Sequence, residues 1–381
     1  MSDTLPAAAG LYVHVPFCFS RCDYCGFYST IPAAGSLEQY LLRLQHESEA
    51  ARACHPGPVK TVFIGGGNPT TLGLVGIKKM FSLLEPWLAG SRPEEITLET
   101  NPETLTAEIV DYLAGIEGFR LSMGVQRLKD TELALLGRRA RLDSVHRALD
   151  MACSRLNNVS VDLILGVPGC PSLAENLAAL LQRFEIQHVS AYFLTVEDDS
   201  PLQRRILNGE LPDPSETGPE ELFAVRETLK NHGFEHYEIS NYARPDRRCR
   251  HNLNYWLAGD YVGLGPSAVS CHTDCRTTNP ADLARWLAAA PPHVEKLSPV
   301  DRRNEFVMLS LRLVADGLDL AALESRFGQQ PAEFFAGLTL QIAAGNLEKH
   351  GAGRVRLTDR GLAVADSVIA GLFIDSPEKC R

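Results

Sequence analysis

The chain has 381 residues, 45% of them apolar and 22% charged, with a formal net charge of −10. These values fit a packed globular protein long enough for two domains and exclude a disordered or fibrous chain. The acidic balance also argues against nucleic acid as a partner, because no excess of Lys and Arg is present to displace counterions; the one short basic run, PDRRCRH (245–251), reads as a solvated loop.

The N-terminal stretch MSDTLPAAAG lacks a basic region followed by an apolar one, so no secretory signal is expected. No apolar run approaches the ~20 residues needed to cross a bilayer. A cytoplasmic chain with reduced thiols is the expectation. The first predicted strand, LYVHVPF (11–17), runs into CFSRCDYCGFYS, where Cys18, Cys22 and Cys25 are spaced C-x-x-x-C-x-x-C. Five further β-rich segments follow: TVFIGGG (61–67), EITLETNP (95–102), RLSMGVQ (120–126), NVSVDLILGVPG (158–169) and HVSAYFLTVE (188–197). Helical spacing is evident between them in 36–50, 107–116 and 144–153. Strand–helix alternation predicts right-handed βαβ units and a parallel sheet.

Most strands run out into polar or glycine residues at their C-terminal ends: the cysteine loop, Gly65-Gly66-Gly67, Glu99, Gln126 and Asp162. In barrel-type α/β folds that rim carries the site. Six strands are too few for a closed eight-stranded barrel, so the expectation is an α/β fold built on a partial (β/α)6 TIM-type barrel over residues 1–200. Residues 201–295 are expected to form an irregular covering and connecting segment. Residues 296–381 read as helices plus a hairpin (NLEKHGAGRVRLT), a small winged-helix-like α+β domain.

Three thiolates on one loop can hold three irons of a [4Fe–4S] cluster and leave the fourth iron open. Such clusters usually take four cysteines, so the missing ligand suggests an exchangeable one, for which S-adenosylmethionine is suited through its amino and carboxylate groups. A zinc knuckle completed by His14 or a distant cysteine, and three unrelated thiols, are the alternatives. Cys54, Cys153, Cys170, Cys249 and Cys380 are scattered and read as incidental. The glycine triplet of FIGGGNPTTL would let backbone approach a ligand. Glu99, Gln126, Arg138 and Asp162 supply acceptors and one cation of the kind a ribose, an adenine and an α-carboxylate require. In HNLNYW (251–256), His251 stands near Tyr255 and Trp256 and is a candidate haem ligand, with a structural histidine as the alternative. CHTDC (271–275) reads first as a loop with incidental cysteines, and as a metal or haem site second.

YVHVPFC, the cysteine loop, GGGNPT, LETNP, RLSMGVQ, LLGRR, VDLILGVPG and GLGPSAVS together resemble the radical S-adenosylmethionine superfamily, within it the group around oxygen-independent coproporphyrinogen dehydrogenase. The resemblance covers nearly the whole chain and is strongest to a haem-chaperone branch. The dehydrogenase carries another cysteine two residues after the third cluster ligand, where this chain has Phe27. The resemblance implies cluster ligation by Cys18, Cys22 and Cys25. It implies S-adenosylmethionine contacts at Tyr12, Gly66, Gly67, Asn68, Glu99, Gln126, Arg138 and Asp162, with weaker ones at Tyr24, Thr195 and Val269. The branch usually has Thr at Asn68, and His at Ala140 and Val269. The implied cofactors are a [4Fe–4S] cluster, S-adenosylmethionine and haem. The implied partners are a haem-accepting protein and an electron donor such as flavodoxin or ferredoxin, with room for peripheral membrane association. The expected function is haem delivery, with radical decarboxylation of a porphyrinogen as the alternative and a metal-stabilised interaction protein as a third class.

Overall fold

The structure, a computed structural model, describes residues 9–89, 92–213 and 219–375; Cys380 lies outside the described residues. Six strands, β1 (Gly10–Val15), β2 (Thr61–Gly66), β3 (Glu95–Thr100), β4 (Phe119–Gln126), β5 (Val159–Leu165) and β6 (His188–Phe193), lie side by side in chain order and all parallel. Each agrees within a few residues with an expected strand. The expected helices are present as Ser36–Cys54, Ala107–Ala114 and Leu142–Cys153.

Strand alternation makes the two faces of this sheet chemically different. Leu11, Val13, Val15, Val62, Ile64, Ile96, Leu98, Leu121, Met123, Val161 and Leu163 are buried in one contiguous core with the helices. The other face is polar. Register pairs Thr97 with Arg120, Glu99 with Ser122, Ser160 with His188, and Asp162 with both Gly124 and Ser190. Arg120, Ser122, Ser160, His188 and Ser190 are all buried there. A barrel interior filled with apolar side chains would be a packed core; this one is a polar chamber.

Residues 201–295 carry more regular structure than an irregular layer. β8 (Asn241–Ala243) adds antiparallel to β6, and β7 (Glu235–Glu238) adds antiparallel to β8. At the opposite edge β9 (Tyr261–Leu264) pairs parallel with β1, and β10 (Val269–His272), β11 (Cys275–Thr278) and β12 (His293–Lys296) continue antiparallel. The result is one twelve-stranded sheet. These strands, of three or four residues each, are too short to show period-two alternation. The basic run 245–251 is likewise not a plain solvated loop. Cys249 and His251 are buried, and the carboxylate of Glu95 accepts from Cys249 Sγ at 3.4 Å and from the backbone N–H groups of Arg250 and His251, both at 3.1 Å.

The C-terminal segment has its own core, including Phe306, Val307, Leu311, Leu323, Phe334, Leu338, Val355 and Val368. Its order is helix Pro299–Leu311, β13 (Leu318–Asp319), helices Leu320–Phe327 and Ala332–Ala343, then the hairpin β14 (Leu347–His350) and β15 (Arg354–Leu357). Strands β13 to β15 form a separate three-stranded sheet, as in a winged helix. Among the described residues no helix is long and apolar enough to cross a membrane.

Candidate functional site

The cysteine loop begins where β1 ends. Two backbone bonds close its neck, Cys18 N–H to Thr30 O at 3.0 Å and Thr30 N–H to Pro16 O at 2.7 Å. Its tip is tied down as well: Asp23 N–H donates to Leu136 O and Leu202 N–H donates to Asp23 O, both at 3.1 Å. The three thiols are half-buried and free. Burial and the nearby Cys25 and Cys22 push the Cys18 thiol up to about 11. Three sulfurs on one loop are a donor set suited to cationic iron, which deprotonates its thiol ligands. Among the described residues no three His, Cys, Asp or Glu side chains are placed to share one metal ion; a cluster would take each thiolate on a different iron.

The glycine triplet at the end of β2 is stitched to that neck. Gly67 N–H donates to Val15 O and Asn68 N–H to Phe17 O, both at 2.8 Å. A Cβ on Gly67 would stand 2.8 Å from Phe17 O, and Gly66 has φ of 105°. Only glycine brings the chain this close to the loop. Gly66 N–H also donates to Glu99 Oε2 at 3.2 Å.

Glu99, Gln126, Arg138 and Asp162 converge as expected. Burial first, then the Asp162 charge, pushes the Glu99 carboxyl up to about 8. Burial also raises Asp162, against hydrogen bonds from Ser190 and Ser122; Ser122 Oγ lies 3.2 Å from both Asp162 oxygens. Arg138 donates from Nη2 to Gly124 O at 2.6 Å and to Asn101 Oδ1 at 3.0 Å, and its Nη1 reaches Cys22 Sγ at 3.6 Å. Its buried Nε has no partner among the described residues. Gln126 sits in the left-handed region at φ 68°, at a register shift between β4 and β5. Strain of that kind at a non-glycine residue concentrates at ligand sites. An orphaned arginine N–H, two carboxylates destabilised as anions and a glycine cradle fit a ligand carrying an ammonium, a carboxylate and hydroxyls.

Other expectations land elsewhere. The Asn68 side chain is buried and spent within the protein, donating to Thr104 Oγ1 at 2.8 Å and accepting from Thr70 Oγ1 at 2.7 Å. Tyr12 donates its hydroxyl to His14 Nδ1 at 3.0 Å, since His14 Nε2 donates to Tyr28 O at 2.9 Å. Tyr24 packs with Leu135, Cys170 and Leu194 on a small cluster of Leu136, Ile164 and Val167. Thr195 is exposed beyond β6.

His251 is not placed as a haem ligand. It lies at the N-terminal ends of β1 and β2, against Gly10 and away from the cysteine loop, and it is fully buried. Its Nδ1 bonds Thr61 Oγ1 at 2.9 Å and its Nε2 bonds Tyr255 OH at 2.8 Å, so neither nitrogen is open to iron. Burial lowers its pKa to about 3 and keeps it neutral. His272 is similarly committed, with Nδ1 2.9 Å from Asp260 Oδ2 and its ring stacked on His55. Asn101, Ser122 and Ser190 were missed by the sequence reading, and His14, weighed there only as a zinc ligand, instead bonds Tyr12 and Tyr28. The alternation of polar residues within β4, β5 and β6 was the available signal for the serines.

A parallel partial barrel with three thiols on the loop after its first strand, and a rim of buried polar residues beside them, defines a class of barrel proteins with an open three-thiol loop. Residues 12–171 match the radical SAM superfamily and residues 297–364 match the HemN C-terminal domain. The chain is 35% identical over 381 aligned residues to a heme chaperone HemW of Mycobacterium tuberculosis, covering 96% of this chain and 94% of that one. It is 33% identical to heme chaperone HemW of Synechocystis, covering 88% and 84%. Coproporphyrinogen III oxidase (HemN) from Escherichia coli has the same fold, with a TM-score of 0.78 at 23% identity over 98% of this chain and 91% of that one. The chain belongs to the radical SAM superfamily, in its HemN/HemW group.

Proposed function

We propose that the chain is a cytoplasmic haem chaperone that carries a [4Fe–4S] cluster and S-adenosylmethionine, binds haem and passes it to an acceptor protein. The observation that carries this reading is the 35% identity to a heme chaperone across 96% of the chain. Phe27 supports it. This residue stands where the dehydrogenase pattern has cysteine, is 69% exposed, and can neither ligate nor donate.

When bound, the cluster and sulfonium ligand would supply one-electron chemistry or a structural lock. The residues of this chain do the rest. Cys18, Cys22 and Cys25 hold the cluster, and Arg138 stabilises the Cys22 thiolate while presenting its Nε to the ligand carboxylate. The Gly66–Gly67 backbone, Glu99 and Asp162 receive the ammonium and hydroxyl groups, and Gln126 faces the same chamber from its strained turn. The electron donor would be a flavodoxin or ferredoxin.

The test is anaerobic reconstitution, followed by haem titration and a coproporphyrinogen assay under reducing conditions. Haem binding without release of carbon dioxide is expected. Stoichiometric carbon dioxide with protoporphyrinogen would replace the chaperone reading by the dehydrogenase. Cys22→Ala should lose the brown chromophore and most acid-labile sulfide with the fold retained.

A further inference from the structure

A second cavity, of about 640 Å³, opens beside the cysteine loop. It lies between Phe27 and Tyr28 on one side and the helix Pro299–Leu311 on the other. Of the expected sulfonium contacts, only Tyr12 and Val269 line it; Gly66, Glu99, Gln126, Arg138 and Asp162 do not. Its size is that of a cavity for one organic cofactor. Its walls are aromatic, with Tyr28, Tyr255, Trp256 and Tyr261 around it. Flat apolar walls of this kind suit a planar conjugated ligand.

The polar groups of this cavity gather at one end. Arg276 and Arg302 both hold the carboxylate of Glu305, at 2.5 and 3.7 Å. Arg276 also holds Glu295 at 3.1 Å, so propionates would share or displace internal carboxylates that these guanidinium groups already bind. Arg302 Nη1 also donates to the sulfur of Cys271 at 3.4 Å. Cys271 stands on β10 two residues after Val269, so both side chains share the face that lines the cavity. The other nitrogenous candidate in the wall, His14, has both ring nitrogens engaged. Trp256 adds an independent sign of a missing ligand, since its buried Nε1 has no acceptor among the described residues.

We propose that this cavity is the haem site, with the porphyrin between the aromatic walls, its propionates toward Arg276 and Arg302, and Cys271 Sγ as the axial ligand to iron. The assignment rests on the haem reading above and moves the site away from His251. Ligation forms one Fe–S bond and releases the thiol proton to water, with no change of oxidation state. Arg302 then faces a thiolate and offsets its charge. The cavity is bounded by two separate parts of the chain, the cysteine loop and the C-terminal helix, which suits a cofactor that must leave again.

The test titrates haemin into the full-length, cluster-reconstituted chain and reads the carbonyl complex after reduction. The wild type should bind about one haemin per chain and show the strongly red-shifted Soret band of a thiolate-ligated carbonyl haem. Cys271→Ser should abolish that band, with iron, sulfide and S-adenosylmethionine binding unchanged. Arg302→Gln should weaken haemin binding about tenfold, and weaken binding of haemin dimethyl ester, which lacks free carboxylates, far less. Haemin bound with wild-type spectrum and affinity in both variants would overturn this site and leave the chaperone reading intact. A wild type that binds no haemin would overturn both.

Discussion

Glu99 sets a pH dependence that the ligand-free chain should display. Its carboxyl titrates near 8 in the fold and ordinarily near 4.5. Between those values the folded state binds more protons than the unfolded state, so stability falls as pH rises, by up to about 1.4 kcal/mol per pH unit. The slope vanishes below the window, where both states are neutral, and above it, where both are ionised. Glu99→Gln should flatten this loss in urea denaturation at pH values spanning the window; an unchanged slope would assign it to another group. A cationic ligand group beside Glu99 and Asp162 would relieve the same penalty, which couples binding to carboxylate ionisation. Glu99 was legible because it sits near a predicted strand end, and Asp162 because it is a single carboxylate within the apolar strand VSVDLIL. The fate of His251 was not, because its partner Thr61 is 190 residues away and the burying Gly10 still further. His251→Ala should cost about 2–4 kcal/mol, from an emptied buried site and two abandoned hydrogen bonds. Because His251 Nε2 holds Tyr255 in the wall of the aromatic cavity, haemin affinity per folded molecule should fall modestly while the red-shifted band of the carbonyl complex persists, which a binding titration of the variant can check.

At the scale of elements, the turn at the end of β2 is a tight constraint near the cysteine loop. A Cβ on Gly66 would stand 2.6 Å from the His14 ring, at a φ of 105° that L-residues rarely adopt. Gly66→Ala should therefore displace His14, whose Nε2 holds Tyr28 at the end of the loop. The expected outcome is a loss of about 1–3 kcal/mol together with reduced iron retention, read by denaturation and iron assay. Stability and iron at wild-type levels would show that the cradle tolerates a side chain. Element type was legible wherever period or punctuation was clear, as in the six strands and in Ser36–Cys54. The helix Gly73–Leu88 carried a weaker signal: it opens on glycine, contains Pro86, and packs Ile77, Met80, Phe81, Leu84 and Trp87 into the core. The short strands β7 to β12 are set by pairing with one another and, through β8 and β9, with β6 and β1, rather than by any local preference.

Across the whole molecule, several ion pairs join the C-terminal segment to the rest of the chain, and two of them should differ in weight. Arg226 holds Asp359 bidentately at 2.6 and 2.7 Å, but the carboxylate is 68% exposed. Arg312 lies 3.5 Å from the fully buried Glu238 and stacks its guanidinium over Trp256. Asp359→Ala should cost under about 1 kcal/mol. Arg312→Ala should cost about 3 kcal/mol, because it strands a buried carboxylate, and should also loosen the wall of the aromatic cavity. Equal destabilisation of the two variants in guanidinium unfolding would refute that ranking.

Sequence alone determined the parallel α/β core, the three-thiol loop and the rim residues around it, because those depend on periodicity, strand-end position and spacing within a few residues. It also carried, through alternation in β4 to β6, the polar lining of the chamber. The second cavity was decided by tertiary structure alone. Tyr12, Tyr28, Trp256, Cys271 and Arg302 meet only because β9 pairs with β1 and the helix Pro299–Leu311 closes over that edge. No local pattern encodes a contact across more than two hundred residues. The same long-range packing turned His251 inward and left Cys271, which read first as incidental, facing the space where a planar ligand fits.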